Sequence, residues 1–146
     1  MADAYTLALT LLSARELSET QLRARLVRRK IDPDDIDTAI ARLKADRTLD
    51  DRRVALALAR METGIKHRGR ARVIQKIRQA GISAAVADEA VREVFQDVDE
   101  GELLQLAVDR KLRGKAVRDL DERGRARIVR SLIGQGFKLE SILKKL

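Results

Sequence analysis

Apolar residues recur along most of this chain at three- and four-residue spacing, the period of one face of an α-helix, and short polar or glycine-bearing stretches interrupt them. In AYTLALTLLSARE, Ala4, Leu7, Ala8, Leu11 and Leu12 share such a face and predict a helix. A second helix is predicted after Ser18. Gln21 completes a capping box there, each side chain bonding the other residue's backbone N–H, and Leu17 can pack on Leu22 as a hydrophobic staple. Leu22, Leu26 and Val27 form its apolar side, with Arg23, Arg25, Arg28 and Arg29 around the rest. A third helix begins at Asp32, with Pro33 at its first position, acidic residues in its first turn, and Ile36, Ile40 and Leu43 facing inward.

The same order of three helices returns twice. In the second set, Asp50 is the expected N-cap of a helix carrying Val54, Leu56, Leu58 and Met61 and ending near Gly64. Val73, Ile74, Ile77 and Ala80 follow as a stripe closed by Gly81, where a left-handed residue is expected. Ser83 can then cap a helix with Val86, Ala87, Ala90, Val91 and Val94 inside. The third set has Leu103, Leu104, Leu106, Ala107 and Val108, then a polar GKAVRDLDERG stretch. Ile128, Val129, Leu132 and Ile133 come next, and finally Ile142, Leu143 and Leu146. The expectation is an all-α fold of three tandem three-helix repeats, residues 1–48, 49–97 and 98–146, forming an elongated, curved array.

Composition narrows the chemistry. Aromatic residues make up only 2% of the chain, so its core must be aliphatic; Tyr5, Phe95 and Phe137 are too scattered for a base-stacking platform and read as core. Without cysteine there is no disulfide, thiolate metal site or cysteine nucleophile. No apolar run approaches the roughly 18 residues of a membrane span, and no signal-peptide pattern is present, so a soluble cytoplasmic protein without membrane association is expected. His67, the sole histidine, has no carboxylate or thiol beside it in sequence and reads as a surface-loop residue. Asp50 with Asp51, and Asp32 with Asp34 and Asp35, read as helix starts rather than metal loops. There is no P-loop, dinucleotide fingerprint or nucleophile motif, so no enzyme, cofactor or metal is expected.

Charge supplies the functional signal. The net charge of +8 suggests a polyanionic or acidic partner, and the excess of basic over acidic residues rises from 9 against 8 in the first repeat to 10 against 7 and 12 against 8 in the later two. Those later repeats contain near copies of one stretch, RGRARVIQKIRQAGI at 68–82 and RGRARIVRSLIGQGF at 123–137. Across the three repeats the residue before the second helix is Leu17, Arg68 or Arg123, and the expected cap is Ser18, Gly69 or Gly124. The later two thus give up the staple and the side-chain cap. They also put Arg70, Arg72, Arg125 and Arg127 into first turns, where the helix dipole disfavours each exposed cation by roughly 0.3–1 kcal/mol.

Local rules broken twice in the same way point toward a site. An anion at those helix starts would reverse the sign, because free backbone N–H groups and guanidinium forks both bind phosphate or carboxylate. Gly69 and Gly124 would allow close approach. Lys76 shares a face with Arg72, and Arg130 lies one turn from Arg127. Arg25 and Arg28 of the first repeat complete the candidate set with Arg68 and Arg123. In the competing reading the long arginines simply extend into water.

These residues also carry a family resemblance. The run RELSETQLRARL at Arg15 to Leu26, the LDD at Leu49 to Asp51 followed by Ala55, RVIQKIRQAGI at Arg72 to Ile82 and RIVRSLIGQGF at Arg127 to Phe137 together resemble the RecX family of regulatory proteins, in order and over nearly the whole chain. The resemblance implies tandem three-helix repeats and modulation of RecA recombinase by binding within the groove of the RecA–DNA filament, in DNA repair, recombination and the SOS response. The chain departs from the family pattern at Lys30, where glycine is common, at Val54, where Phe is frequent, and at Gly134-Gln135, where a basic residue is usual. The resulting expectation is a non-enzymatic monomer that contacts the RecA filament and the DNA phosphate backbone within it. The alternatives are a basic helical DNA-binding module acting on nucleic acid alone and an adaptor for another acidic protein.

Overall fold

Most helices of the protein begin where a short polar side chain can take up a free backbone N–H. Asp3, Ser18, Asp32, Asp50, Ser83, Asp99 and Asp121 each accept such a bond at a helix start, and Ser18 forms the full capping box with Gln21. The computed structural model describes residues 3–146; residues 1 and 2 of the first expected repeat lie outside them. All regular structure among the described residues is helical: α1 (Ala4–Ala14), α2 (Glu19–Arg28), α3 (Pro33–Ala45), α4 (Asp51–Gly64), α5 (Arg70–Gln79), α6 (Ala84–Phe95), α7 (Glu100–Leu112), α8 (Glu122–Gly134) and α9 (Leu139–Lys145). A 3₁₀ turn, Val117–Asp119, lies in the polar stretch between α7 and α8.

The helices pack chiefly within the triplets α1–α3, α4–α6 and α7–α9, and pairings between triplets are sparse. This is an all-α helical-repeat array. We propose unit boundaries after residues 48 and 97, in the segments between α3 and α4 and between α6 and α7. The core itself divides in two rather than three. Ala8, Leu17, Leu22, Leu26, Ile36, Ile40, Leu43 and Leu49 form one cluster, and the second and third triplets share the other, from Val54 to Ile142. Phe95 and Phe137 are buried within the shared cluster, as expected. Tyr5 is only half-buried, with Arg42 stacked over its ring at 3.7 Å and its hydroxyl donating to Asp46 at 3.0 Å.

The joints between triplets follow one pattern. At each, the N-terminus of a middle helix meets the C-terminal turn of the next middle helix. At the first joint, the Ser18 hydroxyl donates to the Ala80 carbonyl, and the Thr20 hydroxyl donates to the Gly81 carbonyl at 3.0 Å. Asp51 accepts from the Glu19 amide at 2.8 Å, and the Arg53 guanidinium grips Glu16 at 2.8–3.1 Å while donating to the Arg47 and Thr48 carbonyls. Hydrogen bonding to Glu16 raises the pKa of Arg53, as for a charge held by its partner. At the second joint, the Gly69 amide donates to the Gln135 carbonyl at 2.7 Å. A Cβ on Gly69 would lie 2.5 Å from the Gly136 oxygen, and one on Gly136 would collide with the Arg72 amide. Backbone therefore lies directly on backbone.

Such close approach accounts for two departures from regularity. Gly81 and Gly136 have φ of 81° and 98° and face the preceding triplet, so neither geometry nor space admits a side chain there. Lys30 takes the same left-handed turn, φ 61°, at the corresponding position of the first triplet. No earlier triplet among the described residues rests against it, so its side chain is accommodated.

The apolar periodicity overstates the core. Val27, Leu106, Ile133 and Leu143 are 59, 49, 45 and 48% exposed, although the spacing places them inward. Each of these side chains lies on a part of its helix that no neighbouring helix among the described residues covers. Gly69→Ala is expected to lower stability by roughly 2 kcal/mol, the usual scale of overpacking. Gly64→Ala, where an added Cβ meets nothing within 4 Å, is expected to raise it by about 0.5 kcal/mol. Urea unfolding of both variants checks the contrast, and equal midpoints would remove the steric role of Gly69.

Candidate functional site

The two RGRAR copies differ in the fold. Gly69 is the N-cap of α5, as expected, and makes no side-chain cap bond. Its N–H is not free for an anion, however, because it donates across the joint to Gln135, and the residue is buried. The glycine accommodates the next repeat rather than a ligand. Gly124 is not an N-cap. Asp121 captures the Gly124 amide at 2.7 Å and starts α8 at Glu122, so Gly124 is the third residue of the helix. Arg125 and Arg127 accordingly lie past the helix start, and the dipole penalty expected for them from alignment with α5 does not apply.

The cations of the second repeat are largely engaged. Glu62 is 1% exposed, and Lys66 at 3.6 Å and Arg68 at 3.8 Å supply its counter-charge. Arg68 therefore offsets a buried carboxylate, whose isolation would cost several kcal/mol. Nothing in the sequence marked Glu62 as interior except its place between Ala59 and Thr63 on the apolar side of α4. The Arg70 Nε donates to Glu100 of α7 at 3.2 Å, and its guanidinium stacks on Phe95 at 4.7 Å. Arg72 donates to Gln75 at 2.7 Å, and Lys76 stands half-buried one turn on. His67 belongs to the loop before α5, as expected, but is half-buried and left-handed, φ 52°.

The third repeat differs. Arg123, Arg125, Arg127 and Arg130 are all exposed, and among the described residues none forms a salt bridge. Arg123, Arg127 and Arg130 recur at four- and three-residue spacing and so share one face of α8. Arg25 and Arg28 of α2 sit together beside Leu11 and Arg29, far along the chain from both copies. Of the twelve candidates, Gly69 and Arg70 thus bond across the second joint and Arg68 serves Glu62, while Arg123, Arg125, Arg127 and Arg130 of α8 stand unpaired; Arg72, Lys76, Gly124 and the α2 pair Arg25 and Arg28 belong to neither group. No group of three or more His, Cys, Asp or Glu residues able to hold a metal occurs among the described residues, and no described helix is long and apolar enough to cross a membrane.

Three-helix units linked through the ends of their middle helices, with an outward basic face on the last, define a helical-repeat protein. Comparison with known proteins is then specific: residues 4–43 match the RecX first three-helix domain. The chain is 30% identical to "Regulatory protein RecX" of Syntrophotalea carbinolica over 135 residues, covering 92% of this chain and 88% of that protein. It belongs to the RecX family. Solved structures share its fold: RecX from Lactobacillus salivarius, with TM-score 0.78 and 21% identity over 98% of this chain and 94% of that one, and another regulatory protein RecX, with TM-score 0.80 and 20% identity over 94 and 67%.

The split between engaged and free arginines has a stability signature. Arg70→Glu would place two carboxylates together at the second joint and is expected to lower stability by about 0.5–1 kcal/mol, the range of a half-exposed pair. Arg127→Glu, among unpaired cations, should be neutral or slightly stabilising, within about 0.5 kcal/mol. Urea midpoints at low salt measure both. A larger loss for Arg127→Glu than for Arg70→Glu would contradict the assignment.

Proposed function

We propose that this chain is a non-enzymatic regulator that binds RecA–DNA filaments and restrains recombinase activity. The observation that carries the reading is the RecX relationship, which extends over 92% of the chain. In this reading the protein works in the cytoplasm as a monomer, in DNA repair, recombination and the SOS response. It acts by occupancy rather than by chemistry. A linear array suits a helical filament, because successive triplets can meet successive protomers of one groove. The unpaired arginines of α8 supply a face for filament phosphates or carboxylates.

A second reading, binding to nucleic acid alone, is favoured by the same arginines. It predicts tight binding to naked DNA that weakens steeply with salt. The test is co-sedimentation with RecA assembled on single-stranded DNA, together with RecA ATPase and strand exchange, with naked DNA in parallel. The expected outcome is stronger retention by the filament than by naked DNA and a graded loss of ATPase. Arg123→Glu with Arg130→Glu should weaken both effects at least several-fold without loss of helicity. Equal retention by naked DNA, or no effect on RecA, would overturn the filament reading.

A further inference from the structure

The charge excess is local. Between residues 110 and 130 there are nine Lys and Arg against three Asp and Glu, so 21 residues hold +6 of the chain's +8. One of the three acids, Asp121, is already occupied in capping α8. The fold gathers part of this excess into a cleft between the end of α7 and the flank of α8. Lys111, Arg113, Lys115 and Arg127 line it, with Ser131 at its side and Leu120 and Ile128 among its apolar walls; no carboxylate lines it. Among the described residues none of these four cations forms a salt bridge.

Ordinary helix chemistry explains only part of this cluster. Lys111 and Arg113 at the C-terminal end of α7 complement the helix dipole. Lys115 lies beyond the helix, and Arg127 stands in the second turn of α8, where no dipole favours it. The connection itself turns left-handed, as the chain also does at Lys30, Arg47 and His67. Arg113 holds φ 50° ahead of Gly114 at 85°, so an arginine occupies a left-handed position that asparagine or glycine takes more readily. The Lys115 amide then donates to the Leu112 carbonyl at 3.0 Å, folding this lysine back onto the helix end. Some exposed cations elsewhere are paired, Arg23 with Asp37, Lys44 with Glu19, Arg52 with Glu89 and Glu93, and Arg53 with Glu16, while others such as Arg15, Arg60 and Arg92 stand unpaired on the surface; the cleft differs in bringing four unpaired cations to one concave site. Four like charges converging without a carboxylate is an arrangement that an external anion completes.

We infer that this α7–α8 cleft binds consecutive phosphates of a nucleic-acid strand, without reading its bases. Two guanidinium forks and two ammonium groups suit several anionic oxygens at once, whereas a single carboxylate would leave most of them unmatched. No aromatic residue lines the cleft, so bases have no stacking surface there and recognition runs through the backbone. For its ligand class the inference rests on the filament reading, since a nucleoside triphosphate offers the same chemistry. It moves the nucleic-acid contact away from α5 and adds Lys111, Arg113 and Lys115, which the RGRAR copies do not contain.

The test uses the full chain and a fluorescein-labelled oligothymidylate strand, with anisotropy read between roughly 50 and 200 mM salt. Lys111→Gln, Arg113→Gln, Lys115→Gln and Arg127→Gln together are expected to weaken binding at least roughly ten-fold at the lower salt. They should also flatten the plot of log K against log salt by about 0.7 for each phosphate no longer neutralised. A control removes the same charge from exposed positions outside the cleft, Arg15→Gln, Arg29→Gln, Arg60→Gln and Arg92→Gln, and should change affinity less than about two-fold. Circular dichroism and urea midpoints establish that both variants are folded. Unchanged binding by the cleft variant, or equal loss in the control, overturns the site. Displacement of the strand by equimolar ATP would overturn the strand as ligand in favour of free polyphosphate. Filament co-sedimentation separates the two readings: loss of strand affinity in a variant that still restrains RecA supports the cleft and leaves the filament reading standing, whereas intact strand binding by a chain inert toward RecA refutes only the filament reading.

Discussion

The array depends on how closely one unit's backbone approaches the next. At the second joint an amide of Gly69 and a carbonyl of Gln135 lie 2.7 Å apart, a separation that leaves no room for a Cβ on either Gly69 or Gly136. At the first joint the same place is held by Ser18, whose hydroxyl caps α2 and reaches the Ala80 carbonyl at the same time. One joint is made by side-chain hydroxyls and the other by backbone, yet both set one helix start against the next helix end. Between the first two triplets packing is otherwise sparse, so these few bonds decide their relative placement, whereas the second and third also share a hydrophobic cluster.

That dependence determines what could be read from residues alone. Helix starts were legible because capping is local: Ser18 with Gln21, Asp50 and Ser83 act within three residues of themselves. Pro33 and the left-handed Gly81 were legible for the same reason. The exposure of Val27, Leu106 and Ile133 was not, since periodicity marks a face without saying whether a neighbour covers it. The buried Glu62 was hidden too, because its counter-charges come from Lys66 and from Arg68 beyond a loop.

The RGRAR copies mark the limit of internal similarity. Identical residues occupy different helical positions, because Asp121 begins α8 three residues before the alignment with α5 would. Their surroundings differ as well. Gly69 has a following unit to meet; Gly124 meets only its own cap and Leu120. Of the two, only α5 breaks the helix-start rule, and there Arg70 is engaged by Glu100 and Phe95; α8 keeps a capped start at Asp121 and leaves its arginines open to solvent.

This separation bears on how such a protein can bind a polyanion without loosening its own joints. Arg70 and Arg53 hold the joints through partners on adjacent units, supported by backbone bonds and steric fit that salt does not screen. The cations of α8 and the α7–α8 turn have no such partner, so their energy lies almost wholly in what they meet outside. Were the same arginines to serve both purposes, an incoming anion would compete with Glu16 or Glu100 and binding would come at the expense of array geometry. In the proposed reading, with the two sets apart, ionic strength would tune attachment strongly while the spacing of the units, the property a filament groove would select for, stays fixed.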